Sequence, residues 1–346
     1  MSTHRYLRLC LGLVGLGLAA LSLLVYLVDP FQIYRLQAHC IPPIDRTTQV
    51  YANAGIARSY AYDSAIVGTS VCENFRPSLM DERLGGRFIK LCTQAGTVHN
   101  HALLLELAFG TRPMRHVVYG LDVYSLVGAP DATGSPVPLS LYNANPLDDA
   151  SYFLNRSVLF SFLPRCLATW GQRQTDDLRD AMYCWAGQDA YGEVALYNAI
   201  FTPQAPMRPA DAFLEEAGIN LARNVVPFVR DHPETQFTFF FPPYSAAEWA
   251  TMGSRGTLEA LLALRALCYD TLCAYENVAF YDFATEDWVL HLSNYKDTTH
   301  YGQWINDAIV ERLATDRPCT REALEASTQT LRAWAEAQLQ AGGWVF

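Results

Sequence analysis

The chain of 346 residues is long enough for one large domain or two smaller ones, and 51% of its residues are apolar, which is ample for a sizeable core. Its formal net charge is −10, with 25 basic against 35 acidic residues. Nucleic-acid-binding proteins carry a basic stripe or patch. The composition therefore argues against a nucleic-acid partner.

The chain begins with a long apolar run. Leu9–Val28 is 20 residues without a charge, which is long enough to cross a bilayer as a helix. Arg5 and Arg8 precede it and Asp29-Pro30 follows, so the positive-inside rule puts the N-terminus in the cytoplasm. A cleaved signal peptide is the alternative, but the run is longer than a usual signal core and lacks a clear cleavage site. We predict a single-pass anchor in the cell membrane, with residues 29–346 periplasmic or extracellular.

Nine cysteines suit that location. Cys10 lies inside the apolar run, and the other eight are even in number. An oxidising compartment permits disulfides among them, but the pairing stays open from sequence alone. No cysteine or histidine spacing is typical of metal ligands, so we predict neither a metal nor a cofactor.

Five short apolar runs predict buried strands, at 63–68, 87–92, 116–122, 236–241 and 278–283. Helical patterns lie between and after them, at 99–109, 258–275 and 303–315. Strands that alternate with helices predict a doubly wound five-stranded parallel sheet. We expect a connecting stretch at 29–60, a catalytic domain at 61–319 and a C-terminal helix within 320–346.

Residues 123–235, between the third and fourth runs, are far more than a crossover needs. We predict an insertion that covers the strand ends and shapes the substrate site. An insertion that only adds bulk is the alternative.

Ser70 follows the first run directly, in Gly68-Thr69-Ser70. A hydroxyl there lies where parallel sheets bind ligands, and it becomes a nucleophile if a base activates it. Asp297 and His300 are one turn of chain apart, so the carboxylate can orient one imidazole nitrogen while the other faces the serine. A turn serine and a helix-capping aspartate would explain either motif alone. Their joint occurrence favours catalysis.

The two motifs together resemble the first and last blocks of the SGNH/GDSL hydrolase superfamily. The resemblance implies a flavodoxin-like fold without a cofactor, and it covers about 63–316 in scattered blocks. It also implies that Ser70 is the nucleophile, His300 the general base and then acid, and Asp297 the orienting carboxylate. The backbone N–H groups of Ser70 and Gly96 would form the oxyanion hole.

The third block departs from that family. The family has Gly-x-Asn-Asp after the third strand, whereas this chain has Gly120-Leu121-Asp122 and no asparagine. An ionised Asp122 would repel a developing oxyanion, so it cannot replace the asparagine donor. Backbone N–H groups or another side chain must then complete the hole. Asp122 would position a substrate hydroxyl or have a structural role.

A narrower resemblance adds the anchor, the segment Phe240–Ser245 and Tyr295-Lys296-Asp297. Together they are similar to the anchored envelope proteins of D-alanyl-teichoic-acid transfer and alginate acetylation. That resemblance implies an acylated polysaccharide or carrier as substrate and a membrane-bound O-acyltransferase as partner. Pro243 and Tyr244 would belong either to a substrate-binding loop or to a plain strand-ending turn.

Two functions of different classes follow. The first is an anchored serine esterase or O-acyltransferase that acts on an acylated envelope glycan or carrier. The second is a non-catalytic anchored scaffold or glycan-binding subunit of an envelope acylation system. The sequence leaves open whether an acyl group goes to water or to a sugar hydroxyl.

Overall fold

A computed structural model describes residues 3–36, 39–143, 145, 147–172, 178–205 and 209–346. The chain forms two compact units, each described by itself below. The first comprises Met1–Tyr60 and Pro136–Leu178, and the second comprises Ala61–Ser135 and Arg179–Phe346. The predicted insertion 123–235 is thus divided between the two units, and its residues 144, 146, 173–177 and 206–208 lie outside the described residues.

The five strands are β1 (Ser64–Gly68), β2 (Phe88–Cys92), β3 (His116–Gly120), β4 (Gln236–Phe241) and β5 (Val278–Asp282). The α-helices in the described part of the chain are α1 (Thr3–Val28), α2 (Gln49–Ser59), α3 (Pro77–Leu84), α4 (Val98–Thr111), α5 (Ala150–Phe153), α6 (Leu163–Ala168), α7 (Leu178–Ala181), α8 (Ala210–Asn224), α9 (Val226–Asp231), α10 (Ala246–Ser254), α11 (Leu258–Leu272), α12 (Gln303–Thr315) and α13 (Arg321–Ala341).

The strands form one parallel sheet in the second unit, in the order β2-β1-β3-β4-β5. The predicted α/β fold with a five-stranded parallel sheet is confirmed. Every residue of β1, β2 and β3 is buried. Strands that are buried on both faces have largely apolar sequences without the alternation of a half-exposed strand. Aromatic rings extend the core across β4 and β5, where Phe237, Phe239 and Phe280 stack with centroids 6.2 Å apart.

Two groups of helices cover the sheet. The step from β1 to β2 goes one way along the sheet, and the later steps go the other way. Because crossovers between parallel strands are right-handed, α3 lies on one face of the sheet and the helices of the later crossovers lie on the other. Accordingly α3 packs against α12, whereas α4 packs against α8 and α8 against α11. The C-terminal helix α13 packs against α10 and α11.

The strand order reverses between β1 and β3. In open parallel sheets the crevice for a ligand lies at such a switch point, beyond the carboxyl ends of the strands. Ser70 follows β1 and Asp122 follows β3, so both lie at the switch point of this sheet.

The first unit contains α1, α2, α5 and α6. Helix α1 is long and apolar enough to span a membrane. Just beyond it, the carboxylate of Asp29 accepts hydrogen bonds from the backbone N–H groups of Ile33, Tyr34 and Arg35, which fixes the turn that leaves the helix. A disulfide joins Cys40 to Cys166. It ties the segment after α1 to α6, a pairing that the sequence left open.

Candidate active site

Ser70 is the first residue of a single 3-10 turn, Ser70–Cys72, at the carboxyl end of β1. The sulfur of Cys72 lies between the ends of β1 and β3, where a Cβ at Gly68 or Gly120 would collide with it. The turn can therefore fold back over the strand ends only if both positions are glycine. Cys72 is fully buried and burial raises the pKa of its thiol, so the cysteine is a core residue.

His300 is the hydrogen-bond partner of the Ser70 hydroxyl. Its Nε2 lies 2.7 Å from Ser70 Oγ, although the two residues are 230 positions apart in the chain. Its Nδ1 lies 2.8 Å from Oδ2 of Asp297. A carboxylate can only accept, so in the neutral ring Nδ1 carries the proton and Nε2 accepts from the serine. The structure brings together the three residues predicted to form the catalytic relay.

Asp297 is held as an anion by its own loop. Burial alone would raise the pKa of its carboxyl group. The hydrogen bond and positive charge of His300, together with the backbone N–H groups of Thr299 and His300, outweigh that effect and hold the pKa well below its ordinary range. An ionised Asp297 fixes both the tautomer and the orientation of the imidazole.

The loop that carries Asp297 and His300 is closed at its base. Tyr295 and Tyr301 pair across it as an isolated antiparallel bridge, and both side chains are buried. The segment after β4 supports it from outside. Tyr295 donates to the carbonyl of Pro243 over 2.6 Å, and Ser245 donates from both its N–H and its hydroxyl to the carbonyl of Thr298.

Asp122 contacts Thr69, the residue before Ser70. One carboxylate oxygen accepts from the Thr69 hydroxyl over 2.8 Å. The other accepts from the Tyr244 hydroxyl over 2.5 Å and from the Tyr124 N–H over 2.9 Å. Of the two roles that the sequence left open for Asp122, the structural one matches these contacts, because both oxygens already bind protein donors.

Of the two roles predicted for Pro243 and Tyr244, a substrate-binding loop or a strand-ending turn, the contacts of both residues match the turn. Both are buried, with only 2% of Tyr244 exposed. Their polar atoms are engaged within the protein, since the Tyr244 hydroxyl binds Asp122 and the Pro243 carbonyl binds Tyr295. Pro243 thus supports the loop that carries Asp297 and His300, and Tyr244 supports Asp122.

The N–H of Gly96, one of the two predicted oxyanion donors, is engaged within the protein. It donates to the carbonyl of Thr93 over 2.9 Å and closes the turn after β2. By contrast, the N–H of Ser70 begins the 3-10 turn and has no acceptor within the described part of the chain. Ser70 is therefore the better placed of the two predicted backbone donors.

Trp185, from the predicted insertion, lies beside the relay. Its indole N–H donates to the carbonyl of Ser70 over 3.3 Å, and its ring meets the His300 ring edge-on at 5.8 Å. Lys296 stacks on the outer side of the indole, 3.9 Å from its centroid. No spacing in the sequence could have indicated Trp185, because it is more than a hundred residues from both Ser70 and His300.

A buried carboxylate connects the two halves of the site. Glu248 on α10 accepts from the hydroxyls of Tyr124 and Thr298. Tyr124 also donates its N–H to Asp122, and Thr298 is adjacent to Asp297. These bonds link the strand ends near Ser70 to the loop that carries Asp297 and His300.

Lys90 in β2 is buried and contacts Glu73, which follows the Ser70–Cys72 turn. Its ammonium donates to the carbonyls of Glu73 and Asp180, over 2.8 and 2.7 Å. Burial lowers the pKa of Lys90 to about 8, against the opposing effect of nearby Cys184 and other groups. The lysine thereby connects the end of the Ser70 turn to Asp180, near the point where the chain re-enters the second unit.

The fold and site define an α/β protein with a serine–histidine–aspartate relay at the switch point of a five-stranded parallel sheet. No protein-family model and no curated protein matches the chain. One similar solved structure is described as "a putative platelet activating factor from Streptococcus pneumonia", with 10% identity, a TM-score of 0.40 and coverage of 78% of this chain and 90% of that one. Another is an acetyl xylan esterase, Est2A, from Butyrivibrio proteoclasticus, with 10% identity, a TM-score of 0.34 and coverage of 74% and 63%. With TM-scores this low, neither similarity assigns an activity to this chain.

Proposed function

We propose that this protein is a membrane-anchored serine esterase or O-acyltransferase that acts on an acylated cell-envelope glycan or carrier. The observation that carries the proposal is the relay itself, with Ser70 Oγ 2.7 Å from His300 Nε2 and His300 Nδ1 2.8 Å from Asp297. These are the distances at which a base can take the proton of a nucleophile while a carboxylate orients it.

The chemistry follows from these positions. As Ser70 Oγ attacks the ester carbonyl, its proton passes to Nε2 of His300, and ionised Asp297 stabilises the imidazolium. When the tetrahedral intermediate collapses, His300 returns the proton to the leaving alcohol and an acyl-enzyme remains. Water or a sugar hydroxyl then attacks the acyl carbonyl as it loses its proton to His300. When this second intermediate collapses, the bond to Ser70 Oγ breaks and His300 returns the proton to Ser70.

The negative oxygen of the intermediate needs a donor. The N–H of Ser70 is available for this role, whereas the N–H of Gly96 already closes a turn. Asp122 does not supply a further donor, because it is a carboxylate and both of its oxygens accept hydrogen bonds from Thr69, Tyr124 and Tyr244.

The proposed place of action rests on α1. A helix that can span a membrane would hold the esterase at the outer surface of the cell membrane, where acylated polymers and their carriers are found. A membrane-bound O-acyltransferase is the partner that this position would suit.

The first experiment tests the nucleophile. The full chain in detergent is treated with a fluorophosphonate probe and assayed on an activated acetyl ester. Ser70→Ala should abolish labelling, and Ser70→Ala or His300→Ala should lower the rate by about a thousandfold or more. Ser125→Ala, which removes a buried serine bonded to the Asp122 carbonyl, is the matched control and should keep the label. Full activity in Ser70→Ala would refute the assignment.

A second experiment separates transfer from hydrolysis, and both from the scaffold. An acyl donor is supplied with and without oligosaccharide acceptors, and acylated sugar is measured against free acid. Acylated sugar that disappears in Ser70→Ala would establish an acyltransferase, and free acid alone would leave an esterase. A folded protein that binds polysaccharide but takes no fluorophosphonate label would be a non-catalytic subunit.

A further inference from the structure

The helical segment Val158–Ala168 in the first unit is apolar on two faces. One face packs inward through Val158, Phe162, Leu163 and Cys166. The other face is exposed and carries Phe160, Pro164 and Leu167, at positions i, i+4 and i+7. Phe160 is 78% exposed and Leu167 43%. A helix in water normally presents polar residues on its outer face, so this stripe indicates a second apolar environment.

The same segment adjoins the membrane helix. Helix α1 contacts both α5 and α6, and its buried residues, among those described, are Val25 and Val28. The ring of Tyr26 lies 6.5 Å from that of Phe153 in α5. Earlier residues of α1 are exposed, for example Leu16 at 68%. The contacts with α5 and α6 are therefore made by the last turns of α1.

The depth of these last turns follows from the length of the apolar run. Leu9–Val28 spans about 30 Å as a helix, which matches the hydrocarbon core of a bilayer. Val25 is three residues from the end of the run, so it lies about 5 Å below the outer boundary of that core. Elements that pack on Val25 and Val28 are thus at the level of the membrane interface.

The surroundings of the stripe suit that position. Trp170 follows α6 and is 52% exposed, and tryptophan is typical of membrane interfaces. The one charged residue on the outer part of α6, Arg165, pairs with Asp45. The disulfide from Cys166 to Cys40 fixes the helix to the segment that leaves the membrane.

We infer that Val158–Ala168 lies in the outer interface of the bilayer, with Phe160, Pro164 and Leu167 facing the acyl chains. The occupant of the exposed face is lipid, because α6 carries part of that face and contacts α1, whose buried residues lie where the helix leaves the hydrocarbon core. The inference rests on α1 as a membrane helix and is independent of any catalytic role of Ser70. The first unit would then be held to the membrane by a second contact besides α1.

Photolabelling from the lipid tests this contact. The full chain is reconstituted in nanodiscs of phosphatidylethanolamine and phosphatidylglycerol that contain a lipid with a diazirine near its glycerol backbone. After irradiation, labelled peptides are quantified by mass spectrometry. The peptide that contains 157–172 should be labelled within about threefold of the C-terminal end of α1, since both lie in the interface. Label confined to α1 would overturn the inference. The same result is expected if the exposed face binds another protein instead of lipid.

Charge variants sharpen the test. Phe160→Asp should lower the labelling of that peptide by about fivefold or more, because a charge is expelled from the acyl region. Ser161→Asp adds the same charge at an exposed position on a different face of the helix and should leave the label unchanged, as should Phe160→Leu. An intact Cys40–Cys166 disulfide in each variant confirms that the unit has folded. Unchanged labelling in folded Phe160→Asp would refute the proposed orientation.

Discussion

Tyr244 donates a hydrogen bond from its hydroxyl group to a carboxylate oxygen of Asp122 over 2.5 Å. Burial and the charge of Asp122 raise the pKa of Tyr244 well above its ordinary value, so the tyrosine remains a donor. The other oxygen of Asp122 holds Thr69, the residue before the proposed nucleophile. Asp122 is thus a positioning residue that connects β3, the segment after β4 and the Ser70 turn.

Removing this carboxylate should impair catalysis through Thr69. In Asp122→Ala the hydroxyls of Thr69 and Tyr244 lose their shared acceptor, and hydrogen bonds to a charged group are worth about 1.5–3 kcal/mol each. We expect kcat on an activated ester to fall about tenfold to a hundredfold with little change in KM. Tyr244→Phe leaves the bond to Thr69 intact and should have a smaller effect. Equal activity in Asp122→Ala and the parent would show that Thr69 needs no such support.

The indole N–H of Trp185 should support the reactivity of Ser70. Trp185→Phe removes the donor to the Ser70 carbonyl but keeps an aromatic ring beside His300. We expect the rate of fluorophosphonate labelling to fall about threefold to tenfold, in line with a net hydrogen bond of about 1 kcal/mol. The matched control is Trp344→Phe, near the C-terminus, where the ring contacts Phe346. A loss in both variants alike would indicate general destabilisation instead.

The buried ion pair between Arg265 and Asp282 should contribute strongly to the free energy of unfolding. The two side chains are 0% and 4% exposed, and Arg265 also donates to Ser327 and Thr328 on α13. Arg265→Met leaves a buried charge without its partner and should cost about 3–5 kcal/mol of unfolding free energy. Denaturant unfolding should show that adding Asp282→Asn to Arg265→Met recovers part of that loss. Purely additive losses would contradict the coupling.

The burial of His116 should lower the free energy of unfolding at acidic pH. Burial lowers the pKa of His116 to about 4, while an unfolded histidine titrates near its ordinary value of about 6.5. Below that value the unfolded chain binds more protons, so this contribution is complete above about pH 6.5 and is lost as the pH falls toward 4. Thermal unfolding should show a shallower decline between pH 6.5 and 4 in His116→Asn. An unchanged pH slope in this variant would refute the contribution of His116.

The sequence by itself determined the sheet and the position of the relay on it. Apolar runs of five or six residues are a local signal, and parallel strands joined by helices leave few topologies, so the five strands could be predicted closely. Polar motifs at strand ends also carry information, because carboxyl ends of parallel strands meet at one edge. Ser70, Asp297 and His300 could therefore be predicted as a group, and the structure places them within hydrogen-bond distance.

Only the tertiary structure decided how that relay is supported. The bonds of Asp122 to Thr69 and Tyr244 span 53 and 122 positions, and that of Trp185 to Ser70 spans 115. Such pairs have no spacing that a sequence could display, because their proximity is created by the crossovers and loops between them. The structure also shows that the N–H of Gly96 donates to the carbonyl of Thr93. The division of residues 123–235 between two units likewise depends on long-range packing, which no local pattern records.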